Sequence, residues 1–328
     1  MKSKATVKSP PGLSGKPRLS FSSRLRKGGR ELKTQGWLQL MAIPGIIWLI
    51  IFCYVPMYGI VIAFKNYRPG GGFFSGEWVG LEHFIAFFSD KYAIQSVWNT
   101  LKVSFIKLLV GFPAPILFAL LLNEVQGKRF KKVVQSVSYL PFFVSWVVMW
   151  GILYSLLNLN GPLNQILVSM GLISDPIPFL SSEDTFIPVA VISDLWKGIG
   201  WNSILYLAAI SSVSQEMYES AYLDGANRFQ RCMHITLPSI MPTITIMLIL
   251  AISGILGSNF DQHLLLSNAN NITVARTIDT YVYQIGIGSG RFSYATAVNL
   301  WRSVISFVLL ITADRLARKV SHGERGLF

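Results

Sequence analysis

Residues 211–242 read SSVSQEMYESAYLDGANRFQRCMHITLPSIMP, a polar stretch between two long apolar ones. It is too long for a simple connection and divides at Gly225 into two short helical segments. Ser214 is a good N-cap residue, and Glu216 then falls in the first turn, where the helix dipole favours an acid. Ala221 and Gly225 are spaced i, i+4 with Ala226 beside them, so another backbone can approach closely. Glycine at 225 permits a sharp change of direction. Pro238 suits the first turn of the next apolar segment, where its missing N–H does no harm. The segment, about residues 213–239, therefore predicts a short protruding helix that docks into a groove on a soluble partner. On spacing alone, a re-entry loop with no partner explains it equally well.

The flanks set the context. The 328 residues are 52% hydrophobic and 14% charged, against about 25% charged in a typical soluble domain. Six stretches approach the ~20 apolar residues that a membrane-spanning helix needs. They cover residues 37–64, 97–122, 133–157, 186–213, 240–256 and 292–312, the fourth and sixth being interrupted by Asp194, Lys197 and Arg302. The first is too long for a signal-peptide core and reads as a retained span.

Lys and Arg fix the orientation. Twenty lie in the N-terminal tail, the loops after spans two and four, and the C-terminal tail, against five in the alternate loops. Both termini are thus expected in the cytoplasm. The net charge of +13 follows from this asymmetry, without a nucleic-acid partner. Residues 1–36 form a basic tail with no core of its own, expected to be mobile. Residues 37–316 form one all-α transmembrane domain, and 317–328 a cytoplasmic tail. In the outer loop 158–185, which has no Lys or Arg, a short helix is expected between Pro162 and Gly171, with Leu163, Ile166, Leu167 and Met170 on one face. Cys53 sits in an apolar run and Cys232 in the cytoplasmic loop, so no disulfide is expected.

The central segment resembles the EAA loop of the permease subunits of type I ABC importers. The family pattern is E-A-A, three residues, G, nine residues, then I-x-L-P. Here Glu219, Ser220, Ala221, Gly225, Ile235, Leu237 and Pro238 stand at matching spacing, and Asp224 and Ala226 fit the D-G-A variant of sugar permeases. Ser220 departs from the usual alanine but is also small. Asn99–Thr100, Asn123–Glu124, Tyr139–Leu140–Pro141, the run GSNFDQ at 257–262 and Asp279–Thr280–Tyr281 are similar to the oligosaccharide branch, of maltose type. Within it they look closer to permeases for polysaccharide fragments, including uronate and alginate oligosaccharides.

The resemblance implies a multi-pass subunit of a bacterial-type inner membrane, working with a second, different permease, two ATPase subunits and an extracytoplasmic solute-binding protein. ATP and Mg²⁺ would be bound by the ATPase partners. This chain lacks the pattern G-x-x-x-x-G-K-[ST] and is expected to carry no cofactor, metal or catalytic residue. Glu219, Ser220, Ala221, Asp224, Gly225, Ala226, Leu237 and Pro238 would couple to the ATPase.

Polar groups inside spans are costly and mark pathways. Lys107, Asp194, Lys197, Trp201, Asn202, Asn259, Asp261 and Arg302 are the candidates for a substrate path, and the cations suit an acidic sugar. Each has a plainer reading: Asp194 and Lys197, spaced i, i+3, can neutralise one another, the tryptophans can anchor at the interface, and Arg302 can pair with an acid on a neighbouring helix. Two other functions compete. An ion-coupled secondary transporter would use Asp194, Lys197 and Arg302 as a charge relay, but leaves the docking loop unexplained. A membrane-embedded enzyme finds no support in the scattered His83, His234, His263 and His322. An importer permease for another solute also remains open.

Overall fold

In the computed structural model, residues 36–72 and 75–320 are described, and those residues form helices with no strand among them. Nearly all of the basic tail and residues 321–328 lie outside them. Two compact units divide at Gly59.

The first unit holds α1, Gly36–Leu49. Pro56 cannot donate to the turn before it, and the helix widens to a π turn over Ile50–Tyr54, where Val55 N–H bonds Ile50 O. The apolar run Leu40–Phe64 is long enough to cross a membrane.

The second unit contains the remaining helices. In order they are α2 (Glu82–Ser89), α3 (Lys91–Gly111), α4 (Pro113–Glu124), α5 (Lys128–Phe143), α6 (Trp146–Leu157), α7 (Pro162–Ser169), α8 (Glu183–Ser211), α9 (Gln215–Leu223), α10 (Arg228–Arg231), α11 (Leu237–Ser253), α12 (Phe260–Leu266), α13 (Ile272–Ala275), α14 (Ile278–Tyr283) and α15 (Phe292–Val320). Spanning length and apolarity are met by Lys91–Glu124, Arg228–Ser253 and Phe292–Lys319, and by the bent pair Lys128–Phe143 and Trp146–Ser169. Helix α8, 29 residues long, covers the fourth expected span, which Asp194 and Lys197 interrupt.

Helix α8 is the axis of this unit and packs against α3, α4, α5 and α11. One core joins Ile116 and Ala119 of α4 to Tyr206 and Ile210 of α8 and Ile240 of α11. Another joins Phe186 and Ala190 of α8 to Leu266 and Ala275. A third joins Phe87, Ala93, Tyr281 and Val298. Lipid is as apolar as these side chains, so close packing and interhelical hydrogen bonds must hold the helices together. Gly200 shows how close: a Cβ there would lie 2.1 Å from Ser138 O on α5. At the start of α3, Asp90 caps the helix and accepts a bond from Tyr281 Oη at 2.7 Å. Burial works against that carboxylate's charge, but the Tyr281 hydroxyl and the Tyr92 and Ala93 N–H groups outweigh it and hold its pKa below the usual value.

Two expectations are corrected. The third span, 133–157, is not one helix: its halves meet at 102°. Pro141 weakens the end of α5, and Ser145 Oγ accepts from Val148 N–H to start α6 afresh. The fifth span does not begin near residue 240: α10 runs into α11 through a π turn, Cys232–Thr236. Pro238 therefore sits just past a π turn inside a continuous helix, the lost N–H being absorbed there. The last helix, α15, runs to Val320, and Asp314 pairs with Arg318 near its end. The outer-loop helix forms over Pro162–Ser169 and closes at Gly171, which has φ +68°. Its buried residue is Asn164, whereas Ile166 and Met170 are exposed.

Candidate functional site

Two features qualify, and one core cluster links them. The first is the loop between α8 and α11. Ser214 Oγ accepts from Glu216 N–H and starts α9. Gly225, at φ +80°, ends it: Gly225 N–H bonds Tyr222 O at 3.1 Å and Ala226 N–H bonds Ala221 O at 2.9 Å. This double bond pattern requires a left-handed residue, which glycine adopts without strain. Asn227 and Gln230 then form a capping box for α10. Tyr218 Oη lies 2.9 Å from Thr236 Oγ1 and ties α9 to the π turn.

Glu219, Ser220, Asp224, Gly225 and Pro238 are exposed, while Ala221, Ala226 and Leu237 are half-buried. Around the turn Tyr222, Leu223 and Phe229 stand out, with Leu223 85% exposed. The sequence reading missed this apolar crest; its signal was a pair of large apolar residues flanking a turn glycine in a polar loop. Leu237 leaves the loop to pack on the core of Ile116, Tyr206, Ile210 and Ile240.

The second feature is a cavity of about 670 Å³ walled by α3, α4, α8 and α11. Lys107, Asp194, Trp201 and Asn202 line it. Lys197, Asn259, Asp261 and Arg302 lie outside its lining. Trp201 stacks face to face on Phe142, at 4.4 Å and 3°, with Phe143 edge-on. A flat aromatic pair beside amide and charged groups suits a sugar, which presents apolar ring faces and hydroxyls.

Lys107, Asp194, Lys197 and Arg302 all have partners; Arg302 finds an acid on another helix as expected, whereas Asp194 and Lys197 do not neutralise one another. Asp194 does not pair with Lys197; it faces Lys107, Oδ2 to Nζ 3.7 Å. Lys107 donates to Gln262 Oε1 at 2.5 Å, and the fully buried Gln262 donates to Ala190 O and Ser193 Oγ. Asn259 caps α12 and reaches Asp194 Oδ1 at 3.5 Å. Lys197 donates to Pro141 O, Phe142 O and Val144 O at 2.5–3.2 Å, closing the broken end of α5. Arg302 pairs with Asp279, which also accepts from Ser258 N–H and Oγ–H. Asp261 is exposed in the first turn of α12. Gln262 and Phe142 support the lining residues Lys107 and Trp201 from outside the cavity, and no local spacing marks Phe142. Among the described residues no three His, Cys, Asp or Glu side chains gather as a metal site.

Comparison with known proteins adds three findings. Residues 111–322 match the family described as binding-protein-dependent transport system inner membrane component. The chain is 44% identical to the polygalacturonan/rhamnogalacturonan transport system permease protein YteP of Bacillus subtilis, over 91% of this chain and 92% of that one. It is likewise 44% identical to protein LplB of the same organism, over 90% and 92%. Its fold is similar to a chain in the crystal structure of a bacterial ABC transporter involved in the import of the acidic polysaccharide alginate. The TM-score is 0.82 and the identity 38%, covering 90% of this chain and 99% of that one.

Proposed function

The chain belongs to the binding-protein-dependent transport system inner membrane components, and on that premise we propose that it is one permease subunit of an ATP-driven importer of oligosaccharides, with a preference for uronate-rich fragments. Its family makes it a multi-pass inner-membrane transport subunit, not an enzyme. In the proposed assembly a second, different permease faces it. Two ATPase subunits bind ATP and Mg²⁺ below, and a solute-binding protein delivers the sugar from outside.

One observation carries the coupling: the exposed loop and the cavity wall share a core. Leu237 and Ile240 lead out of the loop and pack on Tyr206 and Ile210 of α8, the helix that presents Trp201 and Asn202 to the cavity. Packed helices move as bodies, so a displacement of α9 by a closing ATPase pair would shift the cavity wall. The uronate preference is supported by relatives named for polygalacturonan and for the acidic polysaccharide alginate. The cations Lys107, Lys197 and Arg302 do not by themselves support it, since all have partners in this chain.

The test is uptake by the complete importer in proteoliposomes, with trigalacturonate and arabinotriose as cargo. Trigalacturonate should enter only with ATP. Gly225→Val should cut uptake at least about tenfold, because a β-branched residue cannot hold a positive φ without strain. Uptake driven by an ion gradient without ATP would overturn the importer reading. Uptake of arabinotriose alone would overturn the uronate preference.

A further inference from the structure

Lys107 lines the cavity with its hydrogen-bonding capacity partly unspent. An ammonium has three N–H donors. One goes to Gln262 Oε1 at 2.5 Å. Asp194 Oδ2, at 3.7 Å, attracts the charge but is too distant for a hydrogen bond. Gln262 is anchored from behind by Ala190 O and Ser193 Oγ, so it holds the amine in place and leaves its remaining donors toward the cavity. Asp194 is held as loosely, by a 3.5 Å bond from Asn259. The Lys107 side chain is 16% exposed and that of Asp194 36%, and both line the cavity, so the pair is accessible to a ligand there.

We propose that Lys107 reads the carboxylate of a uronate residue in transit: the sugar carboxylate takes the unspent donors, and Asp194 yields the cation and turns to Asn259. The exchange keeps the ammonium neutralised before, during and after passage. A neutral sugar offers nothing to displace Asp194. This inference rests on the uronate preference proposed above.

The test is calorimetric titration of the complete importer in nanodiscs, without binding protein, using trigalacturonate and its trimethyl ester. The wild type should bind the acid more tightly than the ester. Lys107→Gln should weaken the acid at least about tenfold and the ester less than about twofold, as loss of a charge-assisted bond predicts. Lys107→Arg should keep the preference. Lys107→Gln with Asp194→Asn, which leaves no unpaired charge, should lose it as the single variant does. If the wild-type preference survives in both Gln variants, or acid and ester weaken equally, the inference is overturned. A wild type with no acid preference defeats the uronate reading itself.

Discussion

Lys197 is the residue on which the shape of the cavity wall turns. Its ammonium meets the last carbonyls of α5, where the helix dipole is negative and Pro141 has already removed a donor. Phe142 is thereby fixed under Trp201. Lys197→Met would leave Phe142 O and Val144 O without their donor, while Pro141 O keeps Val144 N–H, at a cost of about 2 kcal/mol. The expected result is a lower unfolding temperature of the complex and a shift in Trp201 emission, with Lys197→Arg close to wild type. An unchanged emission would mean that the clasp does not set the aromatic stack. The sequence marked Lys197 as a costly charge but gave it a partner, Asp194, three positions back along one helix face. Its actual partners lie more than fifty residues away on α5, beyond any local pattern. Arg302 was legible in kind, as half of an ion pair, because a buried guanidinium needs an acid. That the acid is Asp279, on a short helix before the last span, follows only from the fold.

At the scale of the element, local chemistry was legible and breaks in continuity were not. The cap at Ser214 and the turn at Gly225 form as their residue types dictate. Pro238 misled because proline suits both a helix start and the far side of a π turn, and sequence alone does not separate the two. The third span misled because its apolar run passes unbroken through Val144 and Ser145, although the backbone turns there. What holds this bent element against α8 is the contact of Gly200 with Ser138. Gly200→Ala would force the helices apart, since the added Cβ meets backbone rather than a movable side chain. Less folded complex should be recovered, at a cost of roughly 1–3 kcal/mol for overpacking. Gly151→Ala, with nothing within 4 Å of its Cβ, is the control and should leave recovery unchanged. Equal recovery of both would show that α5 and α8 tolerate wider separation.

Over the second unit as a whole, surface and core have separable duties. Much of the whole chain's net charge of +13 comes from the N-terminal tail outside this unit, while inside the unit Lys107 faces Asp194 and Arg302 pairs with Asp279. Motion has to pass from an exposed polar loop to an apolar interior, and the structure offers one core for it, shared by α4, α8 and α11. Docking and transmission should therefore fail independently. Leu223, 85% exposed on the crest, contributes little to the fold. Leu223→Ala should reduce the ATPase recovered with this chain and leave the unfolding temperature unchanged. Ile240, 1% exposed inside the shared core, should behave in the opposite way. Ile240→Ala leaves a void and costs about 2 kcal/mol or more, while the docking surface stays intact. Its importer should still bind the ATPase and hydrolyse ATP, yet move less sugar per ATP. Uptake and hydrolysis falling in equal proportion would show that the loop drives the cavity wall by another route, and the shared core would then serve stability alone.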